Sequence, residues 1–331
     1  MTHIRSARAL VRLGLAAALV TAAVSSLQAQ DAANYPTKPL RVIVGFAAGG
    51  GNDLFARLVT QKLAENIGQS VVVENKPGAG GRIAVEFVKN QPPDGYTVMV
   101  AASGQMAIAA AIFPKLAYHP TRDFIPITMI ANFPLILAGP MDDKIKTVKD
   151  LVAYGKANPD KSNYATSSPA FTITTELFKL KTGMPGVGIP YKSSNEMMLS
   201  IAGGNSLFSI ADGPPTVPLV KGGKIRALAV TGSQRSDELP DVPSMGEAGY
   251  PEVDIGLWSG FFVHVGTPPA IVKKLDVELR RALADAGVRE KLKAMAVNPG
   301  GGPGEEFRKL IEGDIKKFGE VVQAANLKFE Q

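Results

Sequence analysis

The chain has 331 residues, of which 45% are hydrophobic and 20% are charged, with 34 Gly, 24 Pro and no Cys. This composition favours a folded chain of one large or two modest domains and excludes a collagen, a coiled coil and a disulfide scaffold. The net charge is +6, but Arg5, Arg8 and Arg12 supply half of that excess and no acidic residue precedes Asp31. The remaining charge is too small and too scattered to predict a nucleic-acid partner.

The first 29 residues are typical of a secretory signal peptide. Three arginines precede an apolar stretch at residues 13–24, and two serines and a cleavage site that ends in Leu27-Gln28-Ala29 follow it. As a helix, this stretch would extend about 18 Å against a hydrocarbon core of about 30 Å, which disfavours a membrane anchor. Since the chain also has no Cys for an acyl anchor, we predict export with cleavage near Ala29.

The first half after this segment alternates between strand and helix. Asn52 or Asp53 would cap the first helix at its N-terminus, and Gly68 would end it. The apolar patterns predict strands at residues 40–46, 71–74 and 97–101 and helices at residues 54–67 and 82–89. This alternation is typical of a parallel α/β unit.

A second α/β unit follows an apolar, proline-punctuated stretch at residues 124–140, which we expect to be less regular. A capping box at Thr147 and Asp150 opens a helix. Further strands are predicted at 163–166, 187–191, 207–211, 225–230 and 257–265, and helices at 172–182, 195–202, 216–220 and over most of 270–325. Since no Gly/Ser linker separates the halves, we expect two lobes joined by crossing strands: residues 35–103 plus 228–331, and residues 104–227.

Several enzyme classes lack the residues that their chemistry needs. After residue 29 the sequence has only His119 and His264 and no Cys, which excludes a thiol nucleophile, a thiolate metal site and a closely spaced histidine pair. No G-x-S-x-G motif is present. The glycine-rich loop at residues 45–53 matches neither the dinucleotide fingerprint nor the P-loop. We therefore predict no metal and no cofactor.

The loops at the carboxyl ends of the predicted strands form the candidate ligand site, because open α/β sheets bind ligands there. The glycine-rich loop either presents backbone N–H groups to an anion at a helix N-terminus or is a plain tight turn. Hydroxyl-bearing loops follow two other strands, at residues 102–105 and 167–172. Asp212 is either a helix cap or an acceptor for a ligand hydroxyl, a ligand ammonium or a bridging water.

Short motifs occur along the chain from residue 35 onward. They include Y-P-x-K-P at 35–39, V-E-N-K-P-G-A-G-G at 73–81, D-G-Y-T at 94–97, P-Y-K at 190–192, A-L-A-V-T at 227–231, L-P-D-V-P-S-x-x-E-A-G at 239–249 and G-T-P at 266–268. Together they resemble the Bug-type periplasmic solute receptors, the binding components of tripartite tricarboxylate transporters. The resemblance covers essentially the whole chain after the signal segment.

This resemblance implies a two-lobed α/β periplasmic-binding-protein fold of the type II kind, each lobe being a sheet flanked by helices, joined by crossing hinge strands. The implied activity is capture of a small organic carboxylate by a periplasmic monomer and its delivery to membrane subunits, with a sensor protein as another candidate partner. The candidate ligand-binding residues are then Phe46, Ala47, Ala48, Gly50, Gly51, Asn52, Asp53, Ser103, Gln105, Ser167, Ser168, Ala170, Phe171, Thr172, Tyr191 and Asp212.

One loop departs from the family pattern, which usually has Ser-Ser-Gly-x-Gly where this chain has S-S-P-A-F-T at 167–172. Pro169 removes a backbone donor and Phe171 adds a ring, which favours a dicarboxylate or an aromatic carboxylate with an apolar body. The alternative function is a secreted α/β enzyme acting on a small carboxylate, with Asp53 or Asp212 as base and Tyr191 as acid. It lacks paired carboxylates or an acid that would orient a histidine.

Overall fold

The computed structural model describes residues 34–232, 234–295 and 297–329. The predicted signal peptide and its cleavage site lie outside these residues. Within them, no helix combines the length and the apolar composition needed to cross a membrane.

Strands and helices alternate along the described chain. The strands are β1 (Leu40–Val44), β2 (Val71–Asn75), β3 (Thr97–Ala102), β4 (Phe124–Pro134), β5 (Ile136–Pro140), β6 (Tyr164–Thr166), β7 (Gly188–Pro190), β8 (Ser209–Ala211), β9 (Ile225–Val230), β10 (Gly256–His264) and β11 (Asn298–Gly301). The helices are α1 (Gly51–Ile67), α2 (Arg82–Lys89), α3 (Ala109–Ile112), α4 (Val148–Ala157), α5 (Pro169–Thr182), α6 (Ser194–Ala202), α7 (Gly213–Lys221), α8 (Pro269–Ala284), α9 (Ala286–Ala294) and α10 (Gly304–Ala324). A 3₁₀ segment at Ala79–Gly81 precedes α2, and a π-helical turn at Gly104–Ile108 precedes α3.

The large sheet has six strands in the order β11-β4-β10-β3-β1-β2. β1 is parallel to β2 and β3, whereas β10 is antiparallel to both β3 and β4. β1, β2, β3 and β4 therefore all end at the same edge of the sheet. The loops that follow the first three, and the exit from β4, are brought together at this edge.

Both faces of the large sheet are covered by helices, which explains why its strands are apolar runs rather than alternating patterns. Phe261 and Phe262 are consecutive in β10 and fully buried on opposite faces. Phe261 packs in a cluster with Phe55 of α1, together with residues of α8 and α9. Phe262 packs in a cluster with Trp258 and Phe307, together with residues of α2, α3 and α10.

The second lobe contains two small sheets. β5 lies between β8 and β9 and is antiparallel to both, and β6 is parallel to β7. A parallel bridge between Tyr164 and Phe208 joins the two sheets. β6 and β8 therefore end at the same edge, and their core includes Phe178, Met198 and Phe208.

The stretch at residues 124–140 is regular, so the prediction of an irregular segment is wrong. It forms β4 and β5 with a single residue, Leu135, between them. Pro126 pairs with Phe262 next to a register shift, and Pro134 is the last residue of β4. At both positions the missing N–H of proline does not interrupt the hydrogen bonds between the strands. β11 was also not predicted, because its sequence N-P-G-G has a turn-like composition.

Strand pairing also changes the expected lobe boundaries. Residues 104–134, which we assigned to the second lobe, contain β4 of the large sheet and the Gly104–Ile108 turn that packs in its core. Conversely, β9 pairs with β5 in the second lobe as far as Val230. We therefore propose boundaries at Leu135 and Thr231.

The two chain crossings are hydrogen-bonded to each other. The Leu135 N–H donates to the Thr231 hydroxyl and the Thr231 N–H donates to the Leu135 carbonyl, both at 2.7 Å. Both residues are fully buried. This pair is the point at which the chain leaves the large sheet and returns toward it.

Replacing Thr231 by Val should lower the free energy of unfolding by about 1–3 kcal/mol, because the buried Leu135 N–H loses its acceptor. Urea unfolding measures the change. Thr175→Val is the matched control: Thr175 is equally buried, but its hydroxyl has no hydrogen-bond partner among the described residues. This control should be neutral or stabilising, and equal destabilisation by both variants would contradict the role of Thr231.

Candidate ligand-binding site

The glycine-rich loop joins β1 to the N-terminus of α1. Ala47, Ala48 and Gly49 are exposed, and Gly50 is the N-cap residue of the helix. The prediction that Asn52 or Asp53 caps α1 is therefore wrong. Because Gly50 has no side chain, no capping group covers the N–H groups of the first turn. An anion could accept hydrogen bonds from these groups.

The Asp53 carboxylate holds this loop in place. It accepts hydrogen bonds from the Gly49 N–H at 2.8 Å, from Asn75 Nδ2 at 2.9 Å and from Arg57 Nε at 3.0 Å. Asn75 Nδ2 also donates to the Phe46 carbonyl at 2.9 Å. The Asp53 side chain is only 2% exposed. These contacts make Asp53 an organiser of the loop and leave its carboxylate engaged by its own chain.

The charge of Asp53 is stabilised by these partners. Burial by itself would raise the pKa of Asp53, but the hydrogen bonds from Arg57, Gly49 and Asn75 outweigh it, so the pKa is lowered. The negative charge is thus balanced by Arg57.

Asn52 connects the start of α1 to the large sheet. Its Oδ1 accepts a hydrogen bond from the hydroxyl of Ser259 in β10. Ser259 in turn pairs with Ala102, the last residue of β3. The first turn of α1 therefore lies next to the loop that follows β3.

Gln105 links the loop after β3 to both glycine-rich loops. Its side chain is fully buried, its Oε1 accepts the Ala102 N–H at 2.8 Å and its main-chain carbonyl accepts the Tyr118 hydroxyl at 2.7 Å. A Cβ on Gly81 would lie 2.1 Å from Gln105 Nε2, and one on Gly45 would lie 3.0 Å from it. The amide therefore occupies the space that a side chain at these glycines would need. Gln105 Nε2 has no hydrogen-bond partner in the described part of the chain.

The loop at residues 167–172 connects β6 to α5, which begins three residues before its predicted start. Ser168 is the N-cap and its Oγ accepts the Phe171 N–H at 3.5 Å. The Thr172 hydroxyl lies 2.7 Å from that of Thr166 and 3.1 Å from the Ser168 carbonyl. Two of the predicted ligand-binding hydroxyls thus have partners within their own loop. Ser103 is 1% exposed and Ser167 is half-buried.

The first turn of α5 contributes one buried residue to the core of each lobe. Phe171 is 8% exposed and packs in the core of the second lobe. Ala170 is equally buried, but it belongs to the cluster of the large lobe that contains Met106 and Ala107. The Phe171 ring therefore has a packing role, and its contact with an apolar or aromatic ligand body stays a prediction.

Tyr191 follows β7, and its N–H donates to the Thr166 carbonyl at 2.8 Å. Its hydroxyl lies 3.3 Å from the hydroxyl of Ser206, a residue that precedes β8. The side chain is thus directed toward the amino end of β8, whereas the other predicted ligand-binding residues gather at the carboxyl ends of the strands. This orientation does not favour direct contact between Tyr191 and a ligand.

Asp212 directly follows β8 and occupies the N-cap position of α7, yet its side chain makes no capping hydrogen bond. Its Oδ1 is buried and has no hydrogen-bond partner among the residues described. Burial raises the pKa of Asp212, against the lowering effect of hydrogen bonds from Ser194 and from its own N–H. Asp212 therefore differs from Asp53: its carboxyl group is not fully satisfied by the fold.

The structure brings most of the predicted loops together. The glycine-rich loop, the start of α1 and the loop after β3 adjoin through Asn52 and Gln105, and the start of α5 packs on the same turn, Gly104–Ile108. Asp212 lies at the same edge of the second lobe as the loop after β6. The sequence analysis missed Asn75 and Gly81, although Asn75 ends β2 and could have been found by the rule that selected the other loops.

Replacing Asp53 by Asn should lower the free energy of unfolding at pH 7 by about 1–3 kcal/mol, because the charge-assisted hydrogen bonds from Arg57 are lost. The folded-state pKa of Asp53 is lowered, so this stabilisation is complete above the unfolded-state pKa of about 3.9 and disappears as the pH falls through the folded-state value. The difference between the two proteins in urea unfolding should therefore shrink from pH 7 toward pH 3. A constant difference would contradict the role of the ionised carboxylate. Asp143→Asn, at a side chain that is 96% exposed, controls for net charge.

Gly81→Ala should destabilise the protein by about 1–3 kcal/mol more than Gly80→Ala, because only the new methyl group at 81 collides with Gln105. Both glycines have positive φ, 89° and 64°, so both variants carry a similar backbone cost. A Cβ at Gly80 meets nothing within 4 Å. Thermal unfolding of the two variants measures the difference, and equal losses would show that the Gln105 contact imposes no constraint.

Comparison with known proteins places this geometry in a family. A family model described as "Tripartite tricarboxylate transporter family receptor" matches residues 55–327. Protein BugT of Bordetella pertussis is 31% identical over 315 residues, which cover 94% of this chain and 96% of that protein. The Cupriavidus necator protein described as "UPF0065 protein in gbd 5'region" is 32% identical over 324 residues, with coverage of 96% and 97%.

Solved structures show the same similarity. The R. palustris protein Rpa4515, solved with adipate, is 32% identical with a TM-score of 0.76, covering 89% of this chain and 99% of that one. MatC from Rhodopseudomonas palustris, solved with bound malate, is 30% identical with a TM-score of 0.72, covering 87% and 100%. The periplasmic binding protein BugD is 29% identical with a TM-score of 0.72, covering 89% and 100%. This chain belongs to the Bug-type family of tripartite tricarboxylate transporter receptors, and its two-lobed α/β fold is that of periplasmic solute-binding proteins.

Proposed function

We propose that this protein is a periplasmic receptor that binds a small organic carboxylate between its two lobes and delivers it to the membrane subunits of a tripartite tricarboxylate transporter. In this proposal the signal peptide is cleaved near Ala29 and the receptor acts as a monomer. A sensor protein that recognises the closed form is a further proposed partner.

The observation that carries the proposal is the uncapped N-terminus of α1 at the edge of the large sheet. α1 has 17 residues and starts at a glycine N-cap in an exposed loop. The helix dipole and the free N–H groups favour an anion at this place. The one acidic residue of the first turn, Asp53, is neutralised by Arg57 and faces inward. A carboxylate at this end of α1 would therefore not meet its charge directly.

The relatives agree with this chemistry. Two structures that are at least 30% identical to this chain over 87–89% of its length were solved with adipate and with malate, which are both dicarboxylates. We propose that the ligand of this chain belongs to the same chemical class.

The enzyme alternative receives less support from the described residues. Asp53, one candidate base, has a lowered pKa and accepts hydrogen bonds from three partners. Tyr191, the candidate acid, has its hydroxyl next to Ser206. The Asp53 carboxylate is thus engaged by its own chain, and the Tyr191 hydroxyl is directed toward Ser206 rather than toward the carboxyl ends of the strands.

Gly50→Asp should weaken carboxylate binding on the order of 100-fold without lowering stability, because the new carboxylate caps α1 and repels an anion there. Gly50 has φ −74° and ψ 163°, and a Cβ at this position meets only the Ala47 carbonyl, at 3.3 Å. Gly50→Asn caps the helix without adding charge and should weaken binding less. Calorimetry measures both affinities. Unchanged affinity in Gly50→Asp would place the carboxylate elsewhere.

The function itself is tested by a thermal-shift screen of the mature protein against aliphatic dicarboxylates, hydroxy acids, acidic amino acids and aromatic carboxylates. A specific ligand should raise the stability by RT ln(1 + [L]/Kd) and be recovered unchanged. Uptake by the transporter's membrane subunits in proteoliposomes should then require the receptor. Turnover of the ligand would favour the enzyme alternative, and no stabilisation by any carboxylate would contradict the proposal.

A further inference from the structure

Two buried polar atoms among the predicted ligand-binding residues have no hydrogen-bond partner in the described chain: Gln105 Nε2 and Asp212 Oδ1. Buried polar groups in folded proteins are nearly always paired, so an unpaired one asks for an explanation. The first atom is a donor in the large lobe, and the second is an acceptor in the other lobe. Each follows a strand whose carboxyl end faces the proposed cleft.

The orientation of the Gln105 amide is fixed by its other contacts. Its Oε1 accepts the Ala102 N–H at 2.8 Å, which identifies the opposite atom as the nitrogen donor. Its backbone is held by the Tyr118 hydroxyl at 2.7 Å. Nε2 lies against the backbone of Gly45 and Gly81, at the base of the two glycine-rich loops.

The surroundings of Asp212 leave its Oδ1 in need of a donor. Burial raises the pKa of Asp212, and Ser194, in the first turn of α6, is the side chain that acts to lower it. No charged side chain shifts the pKa of Asp212, which burial raises. The elements packed around β8 and α7 carry six charged residues: Glu176, Lys179, Lys181, Glu196, Lys221 and Arg226.

Most of these charges have partners of their own. Glu176 pairs with Lys179 at 2.8 Å and Lys221 with Glu238 at 2.9 Å. Arg226 donates to the main-chain carbonyls of Asp142 and Ile145, and Glu196 accepts the Lys192 N–H. Lys181 is exposed near the C-terminal end of α5, on the opposite end of that helix from the ligand loop. Among the residues that the structure describes, no cation therefore pairs with Asp212.

We infer, on the basis of the proposed function, that Asp212 selects among carboxylates by accepting a hydrogen bond from the ligand, so that the ligand is a carboxylic acid that also carries a hydroxyl or ammonium donor. The carboxylate of the ligand lies toward the start of α1 and the Gln105 amide. The hydroxyl or ammonium group of the ligand lies toward Asp212 Oδ1. One molecule then satisfies the unpaired groups of both lobes. The ligand therefore has one preferred orientation when the two lobes are closed around it.

A ligand without such a donor meets a different environment at the same place. The second carboxylate of a plain dicarboxylate would face Asp212, and two unprotonated carboxyl groups repel each other. This arrangement becomes favourable only when a proton is shared between them. Because burial raises the pKa of Asp212, the site takes up that proton more readily than an ordinary aspartate. Binding of a dicarboxylate that has no donor should therefore strengthen as the pH falls, more than that of its hydroxylated partner.

The test is calorimetry at about pH 8 with matched pairs that differ by one hydroxyl or amino group: succinate against malate and aspartate, glutarate against 2-hydroxyglutarate, and propionate against lactate. Within the pair that fits the site best, we expect the compound with the hydroxyl or amino group to bind at least about tenfold more tightly than the compound without it. The reason is that an unpaired buried group costs about 1–3 kcal/mol. In Asp212→Asn the amide can donate as well as accept, so this preference should fall below about threefold. Asp143→Asn removes one charge from an exposed loop of the same lobe and should retain the preference.

The outcomes separate the inference from the function on which it rests. Equal affinities within each pair, unchanged in Asp212→Asn, would overturn the role of Asp212 and leave the receptor function intact. Failure of the wild type to bind any carboxylate would overturn the proposed function and the inference with it. If Asp212→Asn does not fold, the wild type is measured from pH 8 to pH 5. There the donor-free member should gain at least about fivefold more affinity than its hydroxylated partner, and parallel pH dependences would overturn the inference.

Discussion

The organisation of the ligand-facing edge depends on the hydrogen bonds that converge on the Asp53 carboxylate. An acidic residue in the first turn of a helix normally interacts with the helix dipole and competes with an external anion. Here the carboxylate turns inward to Arg57, Asn75 and the Gly49 N–H. The same contacts fix the exposed loop at residues 47–49 and leave the start of α1 uncovered. One buried charge thus gives the loop a defined shape without occupying the place where an anion would bind.

The remaining architecture brings other loops to this edge. Parallel pairing of β1, β2 and β3 makes their following loops neighbours, although up to 58 positions separate the ends of these strands. The two crossings at Leu135 and Thr231 then fix the second lobe above the same edge, and the first turn of α5 contributes one residue to each core. The candidate site is therefore a product of sheet topology. Among the buried side-chain polar atoms of the predicted ligand-binding residues, Gln105 Nε2 and Asp212 Oδ1 have no hydrogen-bond partner within the described chain.

Local signals in the sequence predicted the elements that depend on local physics. Gly68 ends α1 with φ 67°, and Thr147 and Asp150 form both hydrogen bonds of the capping box. The strand at residues 225–230 has the predicted bounds. The loops at strand ends were also identifiable, because their position follows from parallel pairing alone. These features require only a few consecutive residues and one topological rule.

Non-local contacts decided the features that the sequence did not reveal. Pro126 is compatible with β4 only because a register shift lies opposite it in β10. The burial of Phe171 depends on which of two cores faces that side of α5, and the fit of Gln105 against Gly81 joins residues 24 positions apart. The direction of the Tyr191 ring depends on Ser206. Each of these outcomes is set by a partner that sequence patterns do not identify.

The single residue between β4 and β5 has a mechanical consequence. A flexible linker would let two lobes separate and reorient freely, whereas a continuous strand resists stretching and transmits force along its backbone. The returning segment at Thr231 is hydrogen-bonded to Leu135, so two short adjacent segments of chain connect the lobes. Relative motion of the lobes is then limited to a change of angle at this connection. Such a connection lets the angle between the lobes change while the loops on both sides of the candidate site stay close to each other.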